Sequence, residues 1–247
     1  MGNVMHTIRM LSGSAVGAIV ATLAAIPVLA APVGTQVGQT IENTVVVNYN
    51  IGTIAQDQEQ ATDEVAVDRK VNLTLARTDN TGVQVTPGQT GAAVTYVLTN
   101  EPNDVLDFAL AAANVTDGTA SELAPAENDN FESTGGFTFY LDNPSSGTVG
   151  AYDSGDAVIT HIDALASGDS AVIHVLSNVP TGLNTDDRAA ILLTATARAN
   201  DGAATLGATF TVSTTNNVDP MEVDTVFADS NAGGQTANDG AAFDTDD

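Results

Sequence analysis

Apolar and polar residues alternate with a period of two along most of the chain, the signature of half-buried β-strands. Val45, Val47, Tyr49 and Ile51 share one side of an extended segment, with Asn48 and Asn50 on the other. Val71, Leu73 and Leu75 alternate with Asn72, Thr74 and Ala76. Val94, Tyr96 and Leu98 alternate with Thr95 and Val97, and Leu106, Phe108 and Leu110 oppose Val105, Asp107 and Ala109. Further runs place Phe137 and Phe139 opposite Thr138 and Tyr140, and Ile191, Leu193, Ala195 and Ala197 opposite Leu192, Thr194, Thr196 and Arg198. The runs end in turn chemistry such as Pro87-Gly88, Asp117-Gly118, Gly135-Gly136 and Asp201-Gly202. The best helical candidate, Asp163 to Asp169, is too short and is closed by Ser167-Gly168. Short, regularly spaced strands rich in Val and Thr predict an all-β fold, an antiparallel β-sandwich spanning residues 69–215.

The flanks of that region differ from it. Residues 1–30 carry no acid, only His6 and Arg9 near a basic start, and an apolar run from Met10 that ends at Val28-Leu29-Ala30. This is the layout of a signal peptide with cleavage after Ala30. An uncleaved membrane anchor is the competing reading, disfavoured by Pro27. Residues 31–68 hold one long strand run, a polar connector and Val65-Ala66-Val67, an N-terminal strand or hairpin segment. Residues 216–247 contain eight acids, no base and many Gly, Asn and Ala, which predicts an acidic, flexible, low-complexity tail.

Composition narrows the function. The 247 residues hold 31 Asp and Glu against 6 Lys and Arg, a formal charge of −25, so nucleic-acid binding and polybasic membrane attachment are excluded as expectations. With no Cys there is no disulfide framework, thiolate nucleophile or Cys-bound zinc. The expected location is exported, extracellular or at the cell surface, with the periplasm as the alternative. No membrane span is expected after signal cleavage.

The stretches Val85-Thr86-Pro87-Gly88-Gln89-Thr90 and Val94-Thr95-Tyr96-Val97-Leu98-Thr99-Asn100 pair a Pro-Gly turn with a Tyr-containing strand ending in Asn. Asn178-Val179-Pro180-Thr181-Gly182 precedes the Thr/Ala-rich run from Ala190 to Arg198. These resemble the conserved-repeat, immunoglobulin-like domain of unknown function in bacterial secreted and surface proteins, and the segments starting at Arg69 and Val223 resemble the N-terminal portion of long secreted proteins of proteobacterial type. The resemblance implies a non-catalytic, immunoglobulin-like extracellular module, often one part of a longer adhesin or surface-layer-like chain. The expected partners are other surface proteins or copies of itself through strand edges, with glycans as a further expectation.

One loop carries candidate chemistry. Counting from Asp142, Gly147 falls at position six and Asp153 at position twelve of a calcium-loop spacing. Asp142, Asn143, Asp153 and Asp156 are therefore the candidate calcium ligands. Pro144 and Ser146 occupy two positions that need ligands, so a solvated hairpin loop competes with this reading. His161 and His174 each lie in an apolar run, where packing is the ordinary explanation and metal ligation by the pair the rarer one. Tyr140 and Tyr152 could contact carbohydrate only by facing outward, and the chain has no Trp. Nucleophile-elbow, zinc-protease, P-loop and dinucleotide patterns are absent from the sequence. The expected function is a non-enzymatic structural or adhesive module. A carbohydrate- or calcium-binding module is the alternative, and a secreted hydrolase the third.

Overall fold

The computed structural model describes residues 20–23, 34–78, 81–119, 128–213, 219–228 and 239–246. Among them the fold is all-β without helix, built from several antiparallel sheets that do not close into a barrel. The chain divides into two compact units, Met1–Asp68 with Thr215–Val223, and Arg69–Thr214 with Asp224–Asp247.

The smaller unit is a ribbon. Strand β2 (Thr40–Asn48) pairs antiparallel with β5 (Glu59–Ala66), from Thr40 opposite Ala66 to Val47 opposite Glu59. Between them the short β3 (Asn50–Ile51) and β4 (Ile54–Ala55) close a tip around Gly52, whose φ of 64° is a backbone state that glycine adopts without a Cβ clash. Ala66 is the one buried position in β2 and β5, and the tip residues Ile51 and Ile54 are exposed. Strand β1 (Val20–Leu23) lies on the other edge of β2, against Val45–Asn48. It is the described part of the expected signal peptide; the rest of that segment lies outside the described residues. No helix among the described residues is long and apolar enough to cross a membrane.

In the larger unit two sheets share one core. The first contains β7 (Leu73–Arg77), β8 (Ala92–Asn100), β10 (Thr134–Leu141), β11 (Ala157–Ile159) and β13 (Ser170–Asn178), in the order β11-β10-β13-β8-β7. The second contains β9 (Leu106–Asn114), β12 (His161–Leu165), β14 (Ile191–Ala199) and β16 (Ala241–Asp246), in the order β12-β9-β14-β16. A small parallel pair joins β6 (Arg69–Val71) to β15 (Thr225–Phe227). The alternation read from the sequence is the alternation of burial. Val94, Tyr96 and Leu98 of β8 and Ile173 and Val175 of β13 meet Leu106 and Phe108 of β9 and Leu193 and Ala195 of β14 in a single hydrophobic cluster. Burying each large apolar side chain contributes about 1.5–3 kcal/mol, which offsets the entropy of ordering the strands. Tyr96 keeps its polar end satisfied by donating its hydroxyl proton to the Ile191 carbonyl at 2.5 Å.

Asn100, which ends the Tyr-containing strand, is a fully buried staple. Its amide donates to the carbonyls of Asp104 at 3.0 Å and Leu165 at 2.7 Å, anchoring two loops at one end of the core.

The expectation of a flexible acidic tail over 216–247 is corrected where the structure describes it. Thr225–Phe227 and Ala241–Asp246 are strands, and β16 pairs with β14 from Ile191 opposite Asp246 to Thr196 opposite Ala241. Ala242 enters the core, and the Asp244 carboxylate accepts the Arg77 backbone N–H at 2.7 Å. Net composition marked this segment as solvated, but backbone pairing with an open edge of β14 makes it a strand whose inner face carries Ala242 together with Asp244 and the buried Asp246.

Candidate functional site

The outer face of the five-stranded sheet carries a polar row. In β13, Ala171, Ile173 and Val175 point into the core, so His174 points outward. Its strand partners are Thr95 in β8 and Tyr140 in β10. An outward position is ordinarily wet, yet His174 is completely buried. The segment from Asp142 to Asp156, which connects β10 to β11, brings the Asp142 and Asp156 carboxylates to the imidazole. His174 Nε2 lies 3.6 Å from Asp142 Oδ1 and 3.6 Å from Asp156 Oδ2, and all three side chains are almost wholly shielded from solvent.

The loop is held by its own carboxylates. Asp156 Oδ1 accepts the Asn143 N–H at 3.0 Å and its Oδ2 accepts the Asp153 N–H at 2.9 Å. Burial pushes the Asp156 carboxyl up, but these two N–H donors, Asp153 first, outweigh it and hold the group below the usual carboxylate range. Asp142 Oδ1 accepts the Gly150 N–H at 2.9 Å. Asp153 accepts from Thr148 N at 3.0 Å and Gly155 N at 2.7 Å, and Asn143 Oδ1 accepts from Ser145 N at 3.1 Å. Gly147 is obligatory here: its φ is 69°, and an added Cβ would stand 1.5 Å from Asp153 Oδ2.

Of the four residues singled out by calcium-loop spacing, the structure gathers Asp142 and Asp156 and commits Asn143 and Asp153 to backbone turns. The third member of the buried cluster is His174. Sequence reading assigned His174 to packing because β13 is apolar on both sides. The signal that could have found it is its position in the alternation, one residue out of phase with Ile173 and Val175. His161, in β12 of the other sheet, is not in that cluster.

The chain matches no family model and no curated protein.

Tyr152 lies over the same loop, its ring 4.9 Å from Tyr140 and 6.0 Å from His174, and it is 39% exposed. Elsewhere in the larger unit a cleft of about 390 Å³ is lined by Val83, Val85, Phe131, Leu183 and Ile191. Ser133 and Ser177 also line it, but no histidine does among the described residues, so it does not join a hydroxyl to an imidazole base.

A second carboxylate cluster joins buried Asp129 to exposed Asp117 and Glu132. Burial pushes the Asp129 carboxyl up to about 6; the Ala190 N–H, which donates to it at 2.6 Å, opposes this, and Glu132 and Asp117 add to it. The folded state thus holds the proton more tightly than the unfolded state does. The stabilising contribution is complete below about pH 4 and is lost as pH rises through about 6. Urea denaturation of wild type and Asp129→Asn across pH 4 to 7 is expected to show a falling limb between about 4 and 6 that the variant lacks. Superimposable profiles would remove Asp129 as its source.

Proposed function

We propose that the chain is an exported, non-catalytic structural module, immunoglobulin-like in its larger unit, that associates with further copies of itself through the β2 edge of the N-terminal ribbon. The observation that carries this reading is the asymmetry of that ribbon. Its β5 edge bears Glu59, Asp63 and Glu64, charges that oppose strand addition, whereas β2 from Thr44 to Asn48 is uncharged and β-branched at four of its five positions. A two-stranded ribbon is marginal alone in water, and this one buries almost nothing. Signal cleavage after Ala30 would remove β1 and uncover the backbone of Val45–Asn48.

The strand order of the larger unit supports its immunoglobulin-like assignment. Reading β7, β8, β9, β10, β13, β14 and β16 as strands A to G, the sheets follow the A-B-E-D and C-F-G order, with β11 and β12 as additions. The resemblance of the Pro-Gly turn and Tyr-containing strand to bacterial surface modules agrees with it.

Light scattering on the chain starting at Ala31 is expected to show self-association that strengthens with salt, because screening relieves the repulsion between strongly acidic copies. Val46→Lys is expected to return it to monomer. A wild-type chain that stays monomeric at high salt and high concentration would defeat the reading. The carbohydrate-binding alternative draws on the exposure of Tyr152, and glycan-array binding abolished by Tyr152→Ala would favour it.

A further inference from the structure

We propose that Asp142, Asp156 and His174 bind one divalent transition-metal ion of the zinc type, which fastens the β10–β11 connection onto the outer face of the five-stranded sheet. This goes beyond the assembly reading and does not depend on it. The geometry carries it. His174 Nε2 is buried and makes no hydrogen bond, though it faces two carboxylate oxygens. Its two separations, both 3.6 Å, are too long for the charge-assisted hydrogen bonds of about 2.7–2.9 Å that a bridging proton would form. They lie close to the spacing of about 3.4 Å between ligand atoms in a tetrahedral shell with bonds of about 2.1 Å.

The surroundings orient all three groups as ligands. The Thr95 hydroxyl lies 2.9 Å from His174 Nδ1. With the proton on Nδ1 and the Thr95 oxygen accepting it, the Nε2 lone pair points at the carboxylates. Three electron-rich atoms then face one another in a site shielded from water, an arrangement that a cation resolves. The N–H groups of Gly150 and Asp153 donate to the two carboxylate oxygens nearest the imidazole, each at 2.9 Å, and so fix their direction as outer partners do in metal sites.

The donor set selects the metal class. One imidazole nitrogen and two carboxylates suit a borderline ion such as zinc, whereas calcium takes six to eight oxygens and has little use for a nitrogen. Three protein ligands leave a fourth position for water or an outside group. The two carboxylates bracket the loop and the imidazole belongs to the sheet, so the ion would tie the loop to the sheet in a chain that has no cysteine with which to form a disulfide.

The test uses the full chain, stripped of metal by chelator and titrated calorimetrically with zinc and, separately, calcium. Long-range proton–nitrogen spectra of the histidines follow the same titrations. Expected are one equivalent of zinc bound, a higher melting temperature, and movement of the His174 Nε2 resonance. His174→Gln and Asp156→Asn are each expected to weaken zinc binding by at least about 100-fold, more than the loss of an outer partner of a ligand does. Glu59→Gln, in the exposed ribbon, is expected to leave it unchanged and controls for diffuse attraction to the acidic surface. Zinc binding unaltered in both site variants would overturn the proposal, as would a His174 Nε2 resonance that stays in place at excess zinc. Saturable calcium uptake with His174 undisturbed would overturn it as well, in favour of an oxygen-only loop. Should both variants fail to fold, the wild-type spectra decide alone.

Discussion

Asp107→Ala is expected to destabilise the protein by about 3–5 kcal/mol in urea denaturation, a larger loss than most surface acids could produce. Asp107 sits in β9 between Leu106 and Phe108, facing away from the core, and is nevertheless fully buried. Its Oδ1 accepts the Ala164 N–H at 3.0 Å and the Asn200 amide at 2.9 Å, and its Oδ2 accepts the Gly207 N–H at 3.0 Å. Two of these donors are in demanding places. Ala164 has a φ of 49°, in the left-handed region that a side chain disfavours, where the pairing of β12 with β9 shifts register between Ile162 and Leu165. Gly207 runs so close to β14 that an added Cβ would lie 1.7 Å from the Ala199 carbonyl oxygen. Removing the carboxylate leaves three donors around a buried site without their acceptor, each costing up to about 1–3 kcal/mol before water and relaxation reduce it. Asp107→Asn keeps one acceptor oxygen but turns an NH₂ group towards some of the donors, so an intermediate loss is expected. A change below about 1 kcal/mol for Asp107→Ala would mean that water replaces the carboxylate and that the loops do not depend on it.

Ending the chain after Asn238 is expected to cost about as much. This truncation removes β16, and with it six register positions on β14, the Ala242 core contact and the Asp244 carboxylate that accepts the Arg77 N–H. About six backbone hydrogen bonds at a net ~0.5–1.5 kcal/mol each give a loss on the order of 3–9 kcal/mol. The newly bare β14 edge should also raise the tendency to aggregate. Thermal melting monitored by circular dichroism distinguishes the outcomes. A solvated tail could be removed within about 0.5 kcal/mol, and such a result would return these residues to the status that their composition suggested.

These two experiments probe the places where local sequence was least informative. The alternation of Val94, Tyr96 and Leu98, and of Leu193 and Ala195, predicts both strand state and inward face, because a period of two puts every second side chain on one side whatever the partner strand is. Asn100 is visible as the end of a strand, but its burial is not, since its amide is satisfied by Leu165, far along the chain. Asp142 and Asp156 are visible as a loop pair. Their company is not: His174 reaches them only because β10 pairs with β13 and places Tyr140 opposite it.

Acidic residues mark the same boundary. Read along the chain, Asp107, Asp142, Asp156, Asp244 and Asp246 look like the solvated carboxylates of strand edges and turns, and nothing within a few residues of each distinguishes them from exposed Glu59 or Asp63. The sequence by itself determined the all-β class, the inward-facing residues of the larger unit and most of the turn positions, because these depend on short-range periodicity and backbone preference. Gly135-Gly136, which reads as a turn, lies instead at an irregularity inside β10. Only the tertiary structure decided which carboxylates are buried. A carboxylate leaves water only where donors are brought to it, and for Asp107 those donors come from Ala164, Asn200 and Gly207, which meet only after β9 and β14 have paired.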